Sequence, residues 1–391
     1  MTATETHLLP DNPSFALGAL AACYFTLAVG SLSVVGLALP MGEGLGATTS
    51  EIALLVTFFS VTYAVSAPLA QVVVGHWDRR LLLVIGLLSI AAGTAVTALA
   101  QGYPTAAFGR VLMAMGGGLT GPMASAAAAA LVPAAQRGPA LGKVFGGLTI
   151  ATVVGVPMTT WLGDVLGWRG ALWAVTTFAA ANALAVVALV PRHARGDRAA
   201  LGDILAILGD RVLLPALSVT AWQMAAQFTT YSVIAFFLID RFGLPSTWLP
   251  LALAGFGIGG ILGNILSTVL ITRLGPNRLI WGSLTASALV LLALQLAGGQ
   301  LWVGLGLGFL WPVFALALFA PQQERLLKLN PKGANLMLAL NASTIYIGMA
   351  LGGAIAGLLV RLSGSDWLAL ASALLMLGGL VSFQVSRRRR T

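Results

Sequence analysis

The side chains that could do chemistry in this sequence are few and scattered. His7, His76 and His193 fall in separate loops, too far apart to share a metal, and Cys23 is the only cysteine. No nucleotide loop of the Walker type occurs. Gly116-Gly117-Gly118 lies inside an apolar run, not between a strand and a helix, so it is in the wrong context for phosphate. What remains is a small set of charges. Gly75-His76-Trp77-Asp78-Arg79-Arg80 connects two apolar runs, Arg110 lies within one, and Glu51, Asp164 and Asp240 stand near run ends. Their chemistry would be ionic: holding helices together, capping them, or carrying a proton. No metal, no cofactor and no enzymatic activity is expected.

The elements that must position these charges follow from composition. The chain has 391 residues, 58% hydrophobic and 8% charged, with 47 Gly. A soluble domain carries about 25% charged residues. This chain cannot cover a water-facing surface, so lipid is the solvent for most of it. A bilayer core takes roughly 20 apolar residues per helix, which leaves room for about twelve spans. Barrel strands are excluded by the length of the runs and their lack of alternation. The predicted fold class is an all-α membrane protein with spans at 15–39, 50–74, 81–100, 104–132, 140–163, 169–190, 212–239, 247–272, 279–298, 301–320, 334–360 and 366–385.

The net charge of +9 reads as topology rather than nucleic-acid binding. With both termini cytoplasmic, every Lys and Arg falls inside except Arg169, Arg241 and Arg361 outside and Arg110 within a span. The positive-inside rule fixes that orientation. The segment 1–12 lacks the basic region of a cleaved signal, so the first span is expected to act as an uncleaved insertion signal. Cys23 is expected to be a packing residue.

The longest connection, 191–211, opens on a charged run. It then places Leu201, Ile204, Leu205 and Leu208 at i, i+3, i+4, i+7, one apolar stripe suited to a helix on the inner membrane surface. It divides the chain into an N-terminal six-helix bundle, 1–190, and a C-terminal one, 212–391. The halves echo each other weakly at an offset near 190 residues. The charged loop after span 2 has a counterpart around Arg273, Gly275, Pro276 and Arg278, and the loop around Pro133 and Arg137 one around Pro321 and Arg325. Duplicated halves are a recurrent transporter design, with the site between them near mid-membrane.

Four stretches carry further meaning. In the first, Gly75 could let span 2 approach the small-residue face of span 11 at Gly348, Gly352, Gly353 and Gly357. Asp78 can cap a helix N-terminus, and Arg79 and Arg80 offer charge-assisted bonds; a plain positive-inside anchor is the alternative. In the second, Arg110 begins Arg110-Val-Leu-Met-Ala-Met-Gly116-Gly117-Gly118-Leu-Thr-Gly121-Pro122. A guanidinium in a span costs roughly 2.5–3.5 kcal/mol on insertion scales. It should face the interior or a cavity, the alternative being to snorkel to the outer boundary. In the third, Gly155 and Pro157, within Gly146-Gly147-Leu-Thr149-Ile-Ala-Thr152-Val-Val-Gly155-Val-Pro157, weaken the helix ladder and can bend it. The fourth is Asn335-Leu-Met-Leu-Ala-Leu-Asn341-Ala-Ser343-Thr344-Ile-Tyr346-Ile-Gly348.

Together these stretches resemble the major facilitator superfamily, most closely its twelve-span drug:proton antiporter branch and the sugar and arabinose efflux-like proteins within it. The resemblance covers the first half well and the second more loosely. It implies two pseudo-symmetric six-helix bundles and export of a small molecule such as a sugar or drug by alternating access, coupled to protons. It makes Gly75, Asp78, Arg79 and Arg80 a conformational latch, and Arg110 part of proton coupling or of the network beside the cavity. It places the cavity on spans 1, 4, 7 and 10, where Tyr24, Ser33, Trp222, Gln223, Gln227, Tyr231 and Trp311 are the candidates. Gln223, Gln227 and Tyr231 share a helix face by their spacing; packing between helices is the alternative role. The expected partners are a small molecule, protons and the lipid bilayer, with no nucleic acid. The expected state is a monomer in the inner (plasma) membrane.

The sequence departs from the branch at one place. Members often carry a carboxylate in span 1, where this chain reads Gly30-Ser31-Leu32-Ser33. Glu51, and after it Asp164, are the remaining candidates for a titrating group. A proton-independent facilitator is therefore the second transport reading, and a membrane receptor without flux a third.

Overall fold

The computed structural model of the chain describes residues 13–133, 136–192, 201–331 and 333–388. His7, His193, Arg195, Arg198, Lys332, Arg389 and Arg390 lie outside the described residues, as do the side chains of Arg137, Leu201, Asn335 and Arg388. Every regular element described is helical.

Some of the helices start where a side chain or a proline serves the first turn. Pro13–Gly36 (α1) and Ala38–Leu45 (α2) are one apolar run broken at Leu37. Thr49–Val73 (α3) starts from a capping box: the Thr48 hydroxyl accepts from the Glu51 amide, and the Glu51 carboxylate accepts from the Thr48 amide at 2.8 Å. Arg79–Ala98 (α4) starts at Asp78, whose carboxylate accepts from the Leu81 amide at 3.2 Å. Tyr103–Ala130 (α5) carries Pro104 in its first turn, where no partner for an N–H is lost. Arg137–Ile150 (α6) runs through one π-helical turn, Ala151–Gly155, into Val156–Leu189 (α7).

Leu201–Gly209 (α8) lies at a steep angle to Leu213–Tyr231 (α9), the bend between them being 83°. Ile207 of α8 is buried against Ala216, Leu217, Leu326 and Met337, with Ile204 beside it, while Leu205 is 67% exposed and Leu208 is also exposed. The predicted stripe thus divides, one edge on the protein and one facing out. Ile234–Phe242 (α10) continues α9 past a break at Ser232 and Val233. Leu249–Leu296 (α11), Leu301–Leu316 (α12), Phe319–Leu329 (α13), Ala334–Ser363 (α14) and Leu368–Arg388 (α15) complete the chain.

Among the described residues nine helical runs are long and apolar enough to cross a membrane, or ten if α8 and α9 form one bent span. Hydropathy predicts twelve. The difference lies in two over-long runs, of 50 and 51 residues, and in the broken α9 and α10. A 50-residue helix would be about 75 Å long, against a bilayer core of about 30 Å. Each long run contains a glycine in a conformation open almost only to glycine: Gly167 at φ 73°, ψ 160° and Gly275 at φ 72°, ψ 161°. Contacts show that the chain reverses at Gly167. Lys143 donates to the Ser14 carbonyl, Arg169 to the Ala100 carbonyl and Arg80 to the Val187 carbonyl. The run therefore leaves the side of the bundle that holds Pro13 and Asp78, reaches the side that holds Thr48 and Gly102, and returns. We call these the near and far sides. The fold is all-α and multi-pass.

The apolar core is not uniform between the sides. On the near side, one buried cluster (Leu20, Leu82, Met123, Val144, Val186) involves only helices before residue 191, and another (Ile207, Leu217, Leu326, Met337) only helices after 200. The largest cluster joins the two halves of the sequence: Leu32, Val35, Ala53, Val56 and Val156 pack into the core around Tyr231, Phe256 and Trp311.

Candidate functional site

Arg110 is fully buried on α5. Its Nη1 and Nη2 donate to the carbonyls of Gly30 and Ser31 on α1, both at 2.7 Å, and its Nε donates to the Leu55 carbonyl on α3 at 3.3 Å. The guanidinium lies 4.7 Å from the Phe59 ring centroid. One cation thus ties three helices through backbone dipoles, the fixed fork of arginine matching carbonyls that diverge from two helices. Gly116 serves packing: a Cβ there would lie 2.4 Å from the Gly86 carbonyl on α4.

Residues 78–80, at the end of the loop, bond to helices of their own half. Asp78 caps α4, Arg79 donates to the Ala126 carbonyl of α5 at 3.0 Å, and Arg80 donates to the Val187 carbonyl of α7. The space at Gly75 is bounded by the backbone of Gln71 in the helix before it, α3. The approach of α3 to α14 is made at the opposite end of α3. A Cβ on Gly353 would lie 2.7 Å from the Thr57 hydroxyl, and one on Gly357 3.0 Å from the Ser50 carbonyl. Thr57 donates to the Ala350 carbonyl at 3.2 Å, and Ser50 to the Gly357 carbonyl. Gly348 and Gly352 face α9 instead, against the carbonyls of Ala221 and Ala225.

A second seam lies between α11 and the π turn: a Cβ on Gly257 would lie 2.6 Å from the Thr152 carbonyl. Gly155 itself lets the turn touch Val29 and Phe25 of α1, and Pro157 follows in the first turn of α7. Near the middle of the helices, Tyr63 of α3 stacks on Tyr346 of α14 at 3.6 Å between centroids. All these contacts between the halves sit in the far half or the middle of the helices.

The second-half candidates separate. Gln223, Gln227, Tyr231 and Trp311 come together in the core. Gln223 Nε2 donates to Gln227 Oε1 at 3.0 Å and to the Ala315 carbonyl, one turn from Trp311, at 3.2 Å. Phe256 stacks on Tyr231 at 4.4 Å and meets Trp311 edge-on at 5.3 Å. Gln223 Oε1 and Trp311 Nε1 are buried without a hydrogen-bond partner among the described residues. Trp222 points away from them, across Gly378 and Gly379 of α15. In the first half, the half-buried Tyr24 shares a hydrogen bond of 2.7 Å with Ser125, and Ser33 is buried, returning its hydroxyl to the Gly30 carbonyl. Glu51 is held in the capping box at the far end of α3, and Asp164 is exposed. Among the described residues no group of three His, Cys, Asp or Glu could hold a metal.

Sequence reasoning did not single out Phe256, Tyr63 or the breaks at Leu37, Ser232–Val233 and Ala317–Leu318. An aromatic set among glycines, Gly255-Phe256-Gly257, was the available signal for the first. Interrupted helices beside a mid-membrane site recur in transporters.

Residues 19–324 match the family profile of the Major Facilitator Superfamily. The chain belongs to this superfamily. This major facilitator chain is 32% identical to a chloramphenicol resistance protein of Streptomyces lividans, covering 77% of this chain and 81% of the relative. It is 27% identical to the inner membrane transport protein YdhP of Escherichia coli (strain K12), covering 89% of each. It is 28% identical to a chloramphenicol efflux pump of Mycobacterium tuberculosis, over 99% and 95% of the two chains. Its fold is that of a solved POT family transporter in complex with a thioalcohol conjugated peptide: TM-score 0.79, 13% identity, 96% and 98% covered.

Proposed function

We propose that this secondary transporter of small molecules is an exporter of the inner membrane, working by alternating access. The observation that carries the reading is the asymmetry of packing. The halves share one core and two glycine seams in the far half and middle of the helices, while the near-side clusters are separate. This is the arrangement of a carrier closed on one side and able to open on the other. Rocking about the middle would expose the Tyr231–Trp311 region to each side in turn. The reading includes twelve spans in two six-helix bundles, 1–190 and 212–391, with 191–211 as the cytoplasmic linker. Breaks at Gly167 and Gly275 and the pairing of α9 with α10 support that number. Cytoplasmic termini make the far side the outside, and the Asp78 loop a latch on the near side. Tyr24, Gln223, Gln227, Tyr231 and Trp311 are the cavity positions we retain.

Two relatives are named for chloramphenicol, so chloramphenicol is the first solute to test. The experiment is a cross-link between the halves. Cysteines replace Ser50 and Gly357, whose atoms are in contact, in a chain where buried Cys23 is Ala. Oxidation should reduce chloramphenicol flux in vesicles to background, and reduction should restore it. Undiminished flux in the cross-linked protein would reject alternating access at this seam.

Proton-coupled antiport is what the family resemblance implies. A specific observation favours the second reading, a facilitator: Glu51 is already engaged by Thr48 at the far end of α3. Flux measured with and without a pH gradient separates them, an unchanged rate removing proton coupling.

A further inference from the structure

The three rings of Tyr231, Phe256 and Trp311 come from α9, α11 and α12 and face one another at 4.4 and 5.3 Å. Beside them stand one buried donor, Trp311 Nε1, and one buried acceptor, Gln223 Oε1, neither partnered among the described residues. Leaving such a group unpaired costs about 1–3 kcal/mol, and two in one cluster point to a ligand that completes them. The three helices carry no Asp or Glu, and α9 and α12 no Lys or Arg. The buried Arg110 of the first half has its guanidinium hydrogen-bonded to the carbonyls of Gly30, Ser31 and Leu55. An ionic ligand here would leave its charge without a counter-charge in a medium of low dielectric. The Phe256 ring also walls an apolar crevice of about 230 Å³ that it shares with Leu238, Leu253, Trp302 and Gly308.

Resting on the alternating-access reading above, we infer that the solute bound at this cluster is an uncharged aromatic molecule. It carries a hydrogen-bond acceptor for Trp311 and a donor for Gln223, as a carboxamide does on one planar group. Organic cations are disfavoured, because no carboxylate is there to meet them and the ring faces offer about 2 kcal/mol, less than the cost of burying an unpaired charge.

Three isosteric probes test this on the purified full chain: 2-naphthamide, its amidinium analogue and 2-naphthoate. They differ in charge and hardly in shape. Binding is read from the ligand-dependent rise in unfolding temperature, which depends on concentration over Kd. The amide should bind at least about tenfold more tightly than either ion, the scale of one hydrogen bond to a buried group. Trp311→Phe keeps a ring and removes the donor, and should weaken the amide about tenfold. Gln223→Glu should turn the preference toward the amidinium. Equal binding of amide and amidinium by the parent chain overturns the inference. So does an unchanged Kd in Trp311→Phe, or no shift by any probe at millimolar concentration. If that happens while the Ser50–Gly357 cross-link still arrests flux, only the ligand class falls. If the cross-link is without effect, the access reading falls, and the probe series still reports on the cluster.

Discussion

Gly257→Ala puts the two halves into direct conflict. The new methyl group would lie 2.6 Å from the Thr152 carbonyl oxygen, 2.9 Å from its carbon and 2.9 Å from Val153 Cα. All three are backbone atoms of the opposite half, so no side-chain rotation relieves the clash. Ordinary contact begins at 3.4 Å, and the halves would have to separate locally by roughly 0.8 Å. Overpacking of this kind costs about 1–3 kcal/mol. Alanine also favours a helix over glycine by about 1 kcal/mol, but it does so in both conformations, and that gain cancels between them. If the halves rock as proposed, the net effect falls on the far-closed state alone, shifting the equilibrium toward far-open by about 5- to 150-fold. Spin labels at the exposed Glu43 and Thr247, on the far ends of the two halves, report the change by double electron–electron resonance. The distribution should gain a longer component. A distribution identical to that of the parent would refute the view that this seam holds the far side shut.

Other perturbations separate packing from function. Asp78→Asn keeps an N-cap as good as aspartate, whereas Asp78→Ala loses about 1 kcal/mol; melting should fall only for Ala, and if the latch reading holds, flux falls for both. Arg110→Lys retains the charge but not the fork, and should lower stability by about 2–3 kcal/mol through lost charged hydrogen bonds; an unchanged denaturation curve in detergent would show that the three carbonyls do not need it. Gly167→Ala and Gly275→Ala force alanine into a backbone region that costs about 1–3 kcal/mol, and each should lower the unfolding temperature. The helical Gly282, whose Cβ would meet nothing within 4 Å, should accept Ala without loss.

The amino-acid sequence by itself determined that lipid is the solvent, because 8% charged residues cannot cover a water-facing surface. It marked Arg110 as a residue that needs partners, because charge in an apolar run is costly. It showed that Gln223, Gln227 and Tyr231 share a helix face, because their spacing follows the helical period. It could not name the partners of Arg110, which are carbonyls of Gly30, Ser31 and Leu55; every residue has a carbonyl, so no sequence signal marks the ones that matter. The glycines of α14 were legible as small, but only packing decided that Gly348 and Gly352 meet α9 while Gly353 and Gly357 meet α3. Neighbouring positions on a helix point about 100° apart, so one stripe serves two partners. The break in α9 at Ser232–Val233 has neither Gly nor Pro to announce it. That Gln223 Oε1 and Trp311 Nε1 have no partner among the described residues became visible only when three separate helices closed around them, since a missing partner is a property of the assembled core and not of any one segment.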